Sequence, residues 1–196
     1  MFVACLDLEG VLVPEIWIKV AQKTGLSDLR FTTRDIPDYD VLMRRRLGIL
    51  RRHRIKLSRI QGVISTVRPL PGARAFLNAL RSHVQVIILS DTYYEFAMPL
   101  MKQLGFPVLW CNSLSVDRHG YIADYHLRQK NGKKKAVRAL KSIGFKVKAV
   151  GDSYNDITML KAAHEGILFN PPPNIRKEFP EFKIAKNYKE LLKILS

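Results

Sequence analysis

Apolar residues along this chain follow two regimes. Phe2-Val3-Ala4-Cys5-Leu6 is a continuous run that ends in Asp7, Glu9 and Gly10, which predicts a buried strand broken by a turn. From Pro14 to about residue 68 the spacing is helical instead. Pro14 suits a helix's first turn, Ile16, Trp17, Val20, Ala21 and Thr24 mark one face, and Gly25 is a stop signal. Asp38 is a candidate N-cap for a helix over Tyr39 to His53, and a third helix starts near Ser58. Val67-Arg68-Pro69-Leu70-Pro71-Gly72 reads as a linker.

Beyond Pro71 strands and helices alternate. Helices are predicted over Ala73 to Arg81, Tyr94 to Leu104 and Lys133 to Ile143, and strands over Val84 to Leu89, Val108 to Cys111, Val147 to Val150 and Gly166 to Phe169. A hairpin is expected around Asp117-Arg118-His119-Gly120, another helix after Asp156, and a last helix over Tyr188 to Leu195. Strands that are apolar throughout and separated by helices indicate a parallel sheet covered on both faces. The expected organisation is therefore an α/β core, residues 1–13 and 69–196, with an all-helical insertion at 14–68.

Composition narrows the function classes. The 196 residues hold 33 Lys and Arg against 17 Asp and Glu, a formal charge of +16. Acids are absent from Val41 through Ser90 and from Tyr125 through Gly151, so clustered acids carry information. The basic excess fits steering of anionic small molecules, a nucleic-acid patch, or a general compositional preference. Zinc-finger spacing and aromatic RNA-reading motifs are absent, so no specific nucleic acid is expected. No apolar run reaches the ~20 residues of a membrane span, and no export signal is visible. Cys5 and Cys111 read as small buried hydrophobes in a reducing cytoplasm.

Ligands of open parallel sheets bind beyond the carboxyl ends of the strands. Asp7 and Glu9 follow the first strand, Ser90-Asp91-Thr92 follows Leu89, and Asp152 follows Val150. Singly, each acid has a plain reading as a turn former or cap. Jointly, they converge on one rim.

In these residues the chain resembles the haloacid dehalogenase superfamily. Asp7-Leu8-Glu9-Gly10-Val11, Ser90-Asp91-Thr92, a basic residue near Lys133, and Gly151-Asp152-Ser153-Tyr154-Asn155-Asp156 match its four motifs in order. The helical insertion resembles the cap of the phosphoserine phosphatase branch. Asp7 to Glu15, Thr33 to Asp40 and Ile88 to Phe96 are similar to the bifunctional phosphoserine phosphatase/homoserine phosphotransferase. The resemblance implies Asp7 as nucleophile, forming an aspartyl-phosphate, and Glu9 as acid and base. It implies Mg²⁺ held by Asp7, Asp152 and the Glu9 carbonyl, with Asp156 in support. Ser90, Asp91, Lys133 and Asn155 would meet the phosphoryl group, although Lys134 adjoins Lys133. Glu15 would take the ammonium of phosphoserine and Arg46 its carboxylate, with homoserine a candidate acceptor. A receiver-like phospho-aspartate domain also places an aspartate at a strand end but needs no such insertion.

Overall fold

The computed structural model describes residues 2–32, 35, 36 and 38–196. Thr33, Arg34 and Pro37, part of the resemblance noted above, lie outside the described residues. Seven strands form one sheet in the order β4-β3-β2-β1-β5-β6-β7. They are β1 (Phe2–Leu6), β2 (Gln85–Tyr93), β3 (Val108–Val116), β4 (Ile122–His126), β5 (Lys146–Gly151), β6 (Glu165–Phe169) and β7 (Lys183–Ala185). Every pairing is parallel except β3 with β4, which close the expected hairpin.

β1 is central because its residues are apolar on both faces. Cys5 sits opposite Ile87 on one side and Ala149 on the other. Side chains alternate across a strand, so Ala4 and Leu6 enter one core and Val3 and Cys5 the other. The first core is covered by α1 (Ile16–Thr24), α2 (Tyr39–Arg52), α3 (Leu57–Ser65), α4 (Ala73–Arg81), α5 (Tyr94–Leu104) and α9 (Tyr188–Leu195). The second is covered by α6 (Gly132–Ser142), α7 (Ile157–Ala162) and α8 (Pro173–Glu178). A helix–sheet–helix sandwich results, and each buried Leu or Phe contributes about 1.5–3 kcal/mol.

The described residues of the 14–68 segment form helices and one short 3-10 turn (Ser27–Arg30), with no strand. Asp38 caps α2 by accepting from the Val41 N–H at 3.0 Å. The segment's exit is tied to its entrance, since the Leu70 N–H donates to the Leu12 carbonyl at 2.9 Å. Val20, Met43, Ile60 and Ile64 share a core with Leu6 and Ile88, so these helices are packed onto the sheet layer.

Several expectations need correction. β2 does not stop at Leu89; it runs through Ser90-Asp91-Thr92 to Tyr93, with a register shift against β3 where those residues lie. A bulge re-aims side chains without ending the strand. β3 is one nine-residue strand, because its hairpin half continues the run begun at Val108. Pro14 stands outside α1, whose N-cap is Glu15. Cys111 is only half-buried. The short α8 and β7 were not anticipated, since β7 offers three residues and one large apolar side chain to a pattern search. Among the described residues no helix is long and apolar enough to cross a membrane.

Candidate active site

The rim forms where β1 and β5 end side by side. The Asp7 N–H donates to the Val150 carbonyl at 2.9 Å, which carries the β1–β5 pairing one residue past the strand. The chain then folds tightly: Leu12 and Val13 N–H both donate to the Leu8 carbonyl, and the Gly10 N–H donates to Val13. Gly10 has φ +78, and a Cβ there would collide with the Asp152 carboxylate. Glycine at this position lets the loop after β1 close onto Asp152.

Asp7 is buried at 3% exposure, and its Oδ1 accepts from the Leu8 N–H at 2.7 Å. Lys133, from the first turn of α6, is also buried and reaches Asp7 Oδ1 at 2.8 Å, Asp156 Oδ1 at 2.8 Å and Asp91 Oδ2 at 3.5 Å. Lys134 is half-buried and Lys135 exposed, so of the three lysines Lys133 is the one in this buried cluster. Asp156 is fully buried, and its Oδ2 accepts from the N–H groups of Asp152 and Ser153. Gly151 is needed here too, since a Cβ on it would overlap the Asp156 side chain.

Carboxylate oxygens of Asp7, Asp152 and Asp156 lie within 4.8 Å of one another. One ammonium facing three carboxylates leaves positive charge in deficit. Burial first, then Asp156, pushes the Asp7 carboxyl well above its usual range, with Lys133 pulling it back. Burial, Asp156 and Glu15 raise Asp152 to about 7. For Lys133, burial alone would favour the neutral amine, but Asp156 and Asp7 outweigh it and hold the ammonium. A divalent cation with hard-oxygen preference fits this donor set. Asp7 and Asp152 have oxygens to offer, whereas Lys133 and two backbone donors occupy Asp156.

Around this cluster Ser90 is buried, and its Oγ accepts from the Thr92 N–H at 3.2 Å. The Asp91 carbonyl accepts from the Asn112 amide, and its carboxylate lies 3.4 Å from the exposed Asn155 amide. Glu9 accepts from the Ile16 N–H at 2.9 Å. Burial and the nearby Glu15 raise it to about 8, which favours the protonated acid.

The helical side supplies different groups. Glu15 is exposed at the start of α1. Arg46 is 6% exposed, with its guanidinium 4.5 Å over the Trp17 ring and donating to the Phe31 carbonyl at 2.7 Å. It has no carboxylate partner among the described residues, and its Nε is buried without a hydrogen bond. Burial lowers its pKa, and Tyr39, Glu9, Tyr93 and Glu15 draw it back up. Asp7, Lys133, Asp152 and Asp156 are thus brought together, Glu9, Ser90, Asp91 and Asn155 lie around them, and Glu15 and Arg46 stand on the helical side. Tyr39 and Tyr93, whose hydroxyls meet at 2.7 Å beside them, are not among the residues expected from sequence. Their signals were present, since Tyr39 lies two turns before Arg46 on α2 and Tyr93 directly follows Ser90-Asp91-Thr92.

A family profile described as haloacid dehalogenase-like hydrolase matches residues 3–164. The chain is 57% identical over 191 residues to phosphoserine phosphatase ThrH of Pseudomonas aeruginosa, covering 97% of this chain and 93% of that protein. It is likewise 57% identical over 191 residues to a phosphoserine phosphatase of Pseudomonas syringae pv. tomato, covering 97% and 81%. Among solved structures, a phospho-aspartyl intermediate analogue of phosphoserine phosphatase superposes with a TM-score of 0.79 at 19% identity, covering 100% of this chain and 99% of that one. That likeness speaks to the fold.

Proposed function

Because the chain belongs to the haloacid dehalogenase-like hydrolases, we propose that it is a Mg²⁺-dependent phosphatase of O-phospho-L-serine working through an aspartyl-phosphate on Asp7. The carrying observation is the buried Lys133 ammonium joining Asp7 and Asp156 beside Asp152, in a chain 57% identical to a protein named phosphoserine phosphatase.

Asp7 Oδ1 is fixed by Leu8 and Lys133, which orients the carboxylate and leaves Oδ2 with no partner among the described residues. A carboxylate oxygen attacks phosphorus; the bond from phosphorus to the serine oxygen breaks, and Glu9 gives its proton to the departing alkoxide. Glu9 then accepts a proton from water as that water attacks the acyl phosphate, releasing phosphate and restoring Asp7. A protonated carboxyl, raised to about 8, suits the first of these duties. Ser90, Asn155 and Lys133 supply donors for the phosphoryl oxygens. Mg²⁺ held by Asp7, Asp152 and the Glu9 carbonyl would supply charge neutralisation for these buried acids and for the phosphoryl group.

Residues 14–68 act as the cap that selects the ester, with Glu15 facing the ammonium and Arg46 the carboxylate. A buried guanidinium with a free Nε and no acidic partner supports that role, because leaving it so is costly unless an anion arrives. The same Glu9 serves an alcohol as well as water, so phosphoryl transfer to homoserine belongs to the proposal. Two free cysteines agree with a cytoplasmic setting. Product analysis tests the reading: with Mg²⁺, phosphoserine gives serine and phosphate, and added homoserine gives phosphohomoserine. Hydrolysis of phosphoserine no faster than of an aryl phosphate would remove the substrate assignment. A lack of phosphohomoserine would remove the transfer.

A further inference from the structure

Tyr39 begins α2, and Arg46 follows seven residues later on the same helical face. Long side chains on a helix lean towards its N-terminus, so the Arg46 guanidinium points back towards Tyr39. Among the groups that draw the Arg46 pKa back up, Tyr39 comes first, in keeping with their shared face of α2. The Tyr39 hydroxyl meets that of Tyr93, which ends β2 just beyond Ser90 and Asp91, so it lies beside the rim.

The proton of this hydroxyl has a defined direction. Tyr39 and Tyr93 hydroxyls are 2.7 Å apart, and either could donate. Tyr93 is 1% exposed, and Tyr39 is its hydroxyl's one hydrogen-bond partner among the described residues. A buried donor left unused is costly, so Tyr93 donates and Tyr39 accepts. The half-buried Tyr39 then keeps its own proton for something else. Its ring cannot easily swing away, because it packs edge-on against Tyr125 at 6.0 Å. Tyr125 is itself anchored by its hydroxyl on Asp40 and by the Arg44 guanidinium 5.3 Å over its ring.

We propose that the Tyr39 hydroxyl is a second donor, beside Arg46, for the carboxylate of the substrate, with Tyr93 as the positioning residue that aims it. This rests on the phosphoserine reading above. Arg46, with its Nε unpaired, and Tyr39, with its proton unspent on Tyr93, would then act as two donors, neither of which depends on the metal or the reacting phosphorus.

The experiment compares O-phosphoserine with O-phosphoethanolamine, which lacks only the carboxylate, in the wild type, Tyr39→Phe, Tyr93→Phe and the double variant. Thermal melting accompanies the kinetics, and phenylalanine keeps the ring packing. Tyr39→Phe is expected to raise KM for phosphoserine on the order of tenfold, the strength of a hydrogen bond to a charged group. Its kcat on phosphoserine and its kinetics on phosphoethanolamine should stay within about twofold of the wild type. Tyr93→Phe should shift phosphoserine KM in the same direction by less, and the double variant should match Tyr39→Phe, because Tyr93 acts through Tyr39. An equal loss on both esters, or a phosphoserine KM untouched by Tyr39→Phe, overturns the inference alone. A wild type that does not prefer phosphoserine to phosphoethanolamine overturns the substrate reading and this inference with it.

Discussion

The strand-end rim and the helical face above it solve the problem of burying charge in opposite ways. At the rim Asp7, Asp156 and Lys133 are all at most 5% exposed, and they satisfy one another at 2.8 Å. On the helical face Arg46 is nearly as buried, yet it leans on the Trp17 ring and one carbonyl and keeps an unused Nε. The rim supplies its own counter-charge in Lys133, whereas Arg46 has no carboxylate partner among the described residues. A region finished by its own chain suits chemistry common to many esters; a region finished by its ligand suits selection among them.

Variants can break that comparison. The largest effect belongs to Asp7→Asn, which removes the nucleophile and should cost on the order of 10⁴-fold or more in kcat on every phosphate ester. A circular-dichroism melt should still show the fold, and near-native turnover would end the nucleophile assignment. Lys133→Met comes next. It should cost about 10²–10³-fold in kcat and about 3 kcal/mol or more in stability, since Asp7 and Asp156 lose their buried partner. Lys134→Met, outside the cluster, is expected to change neither, and equal effects of the two would show that the buried geometry is irrelevant.

Asp152→Asn should weaken Mg²⁺ binding at least tenfold, read as a rightward shift of the activity-against-Mg²⁺ curve with the maximum partly kept. Across the cleft, Arg46→Lys is expected to raise KM for phosphoserine on the order of tenfold, since an ammonium lacks the guanidinium fork. Phosphoethanolamine should respond little. A uniform loss on both esters would place Arg46 with the rim.

The smallest effect is in stability against pH. Glu9 and Asp152 have folded values of about 8 and about 7, above their ordinary 4.5 and 3.8. Between those values the folded chain binds more protons than the unfolded one, so stability falls as pH rises. Without metal, the melting temperature should drop between pH 6 and pH 8.5, less steeply in Asp152→Asn and in saturating Mg²⁺. A metal-free melting temperature that rises over this window would contradict the charge deficit.

Much of the rim was legible in the sequence because its parts sit where apolar runs end. Asp7 follows Leu6 and Asp152 follows Gly151, and parallel pairing of β1 with β5 then leaves no freedom in bringing them together. Lys133 was ambiguous among three lysines until α6 turned one of them inward. The helical face was less legible. Tyr39 and Arg46 meet only through helical phase, and the hydroxyl's direction depends on Tyr93, 54 residues away on β2. β7 stayed hidden for a different reason: Lys183–Ala185 gains its strand from pairing with β6, not from its own pattern.

The most direct test is a rapid quench of the protein mixed with ³²P-phosphoserine and Mg²⁺, with a parallel aliquot reduced by borohydride. Reduction expels the phosphate and leaves the phosphorylated carboxyl as an alcohol, to be located by mass spectrometry. Transient ³²P on the quenched protein, with Asp7 reduced in the parallel aliquot, is the predicted result. Rapid product formation with no trapped label, or label on any other residue, would contradict the account at its centre.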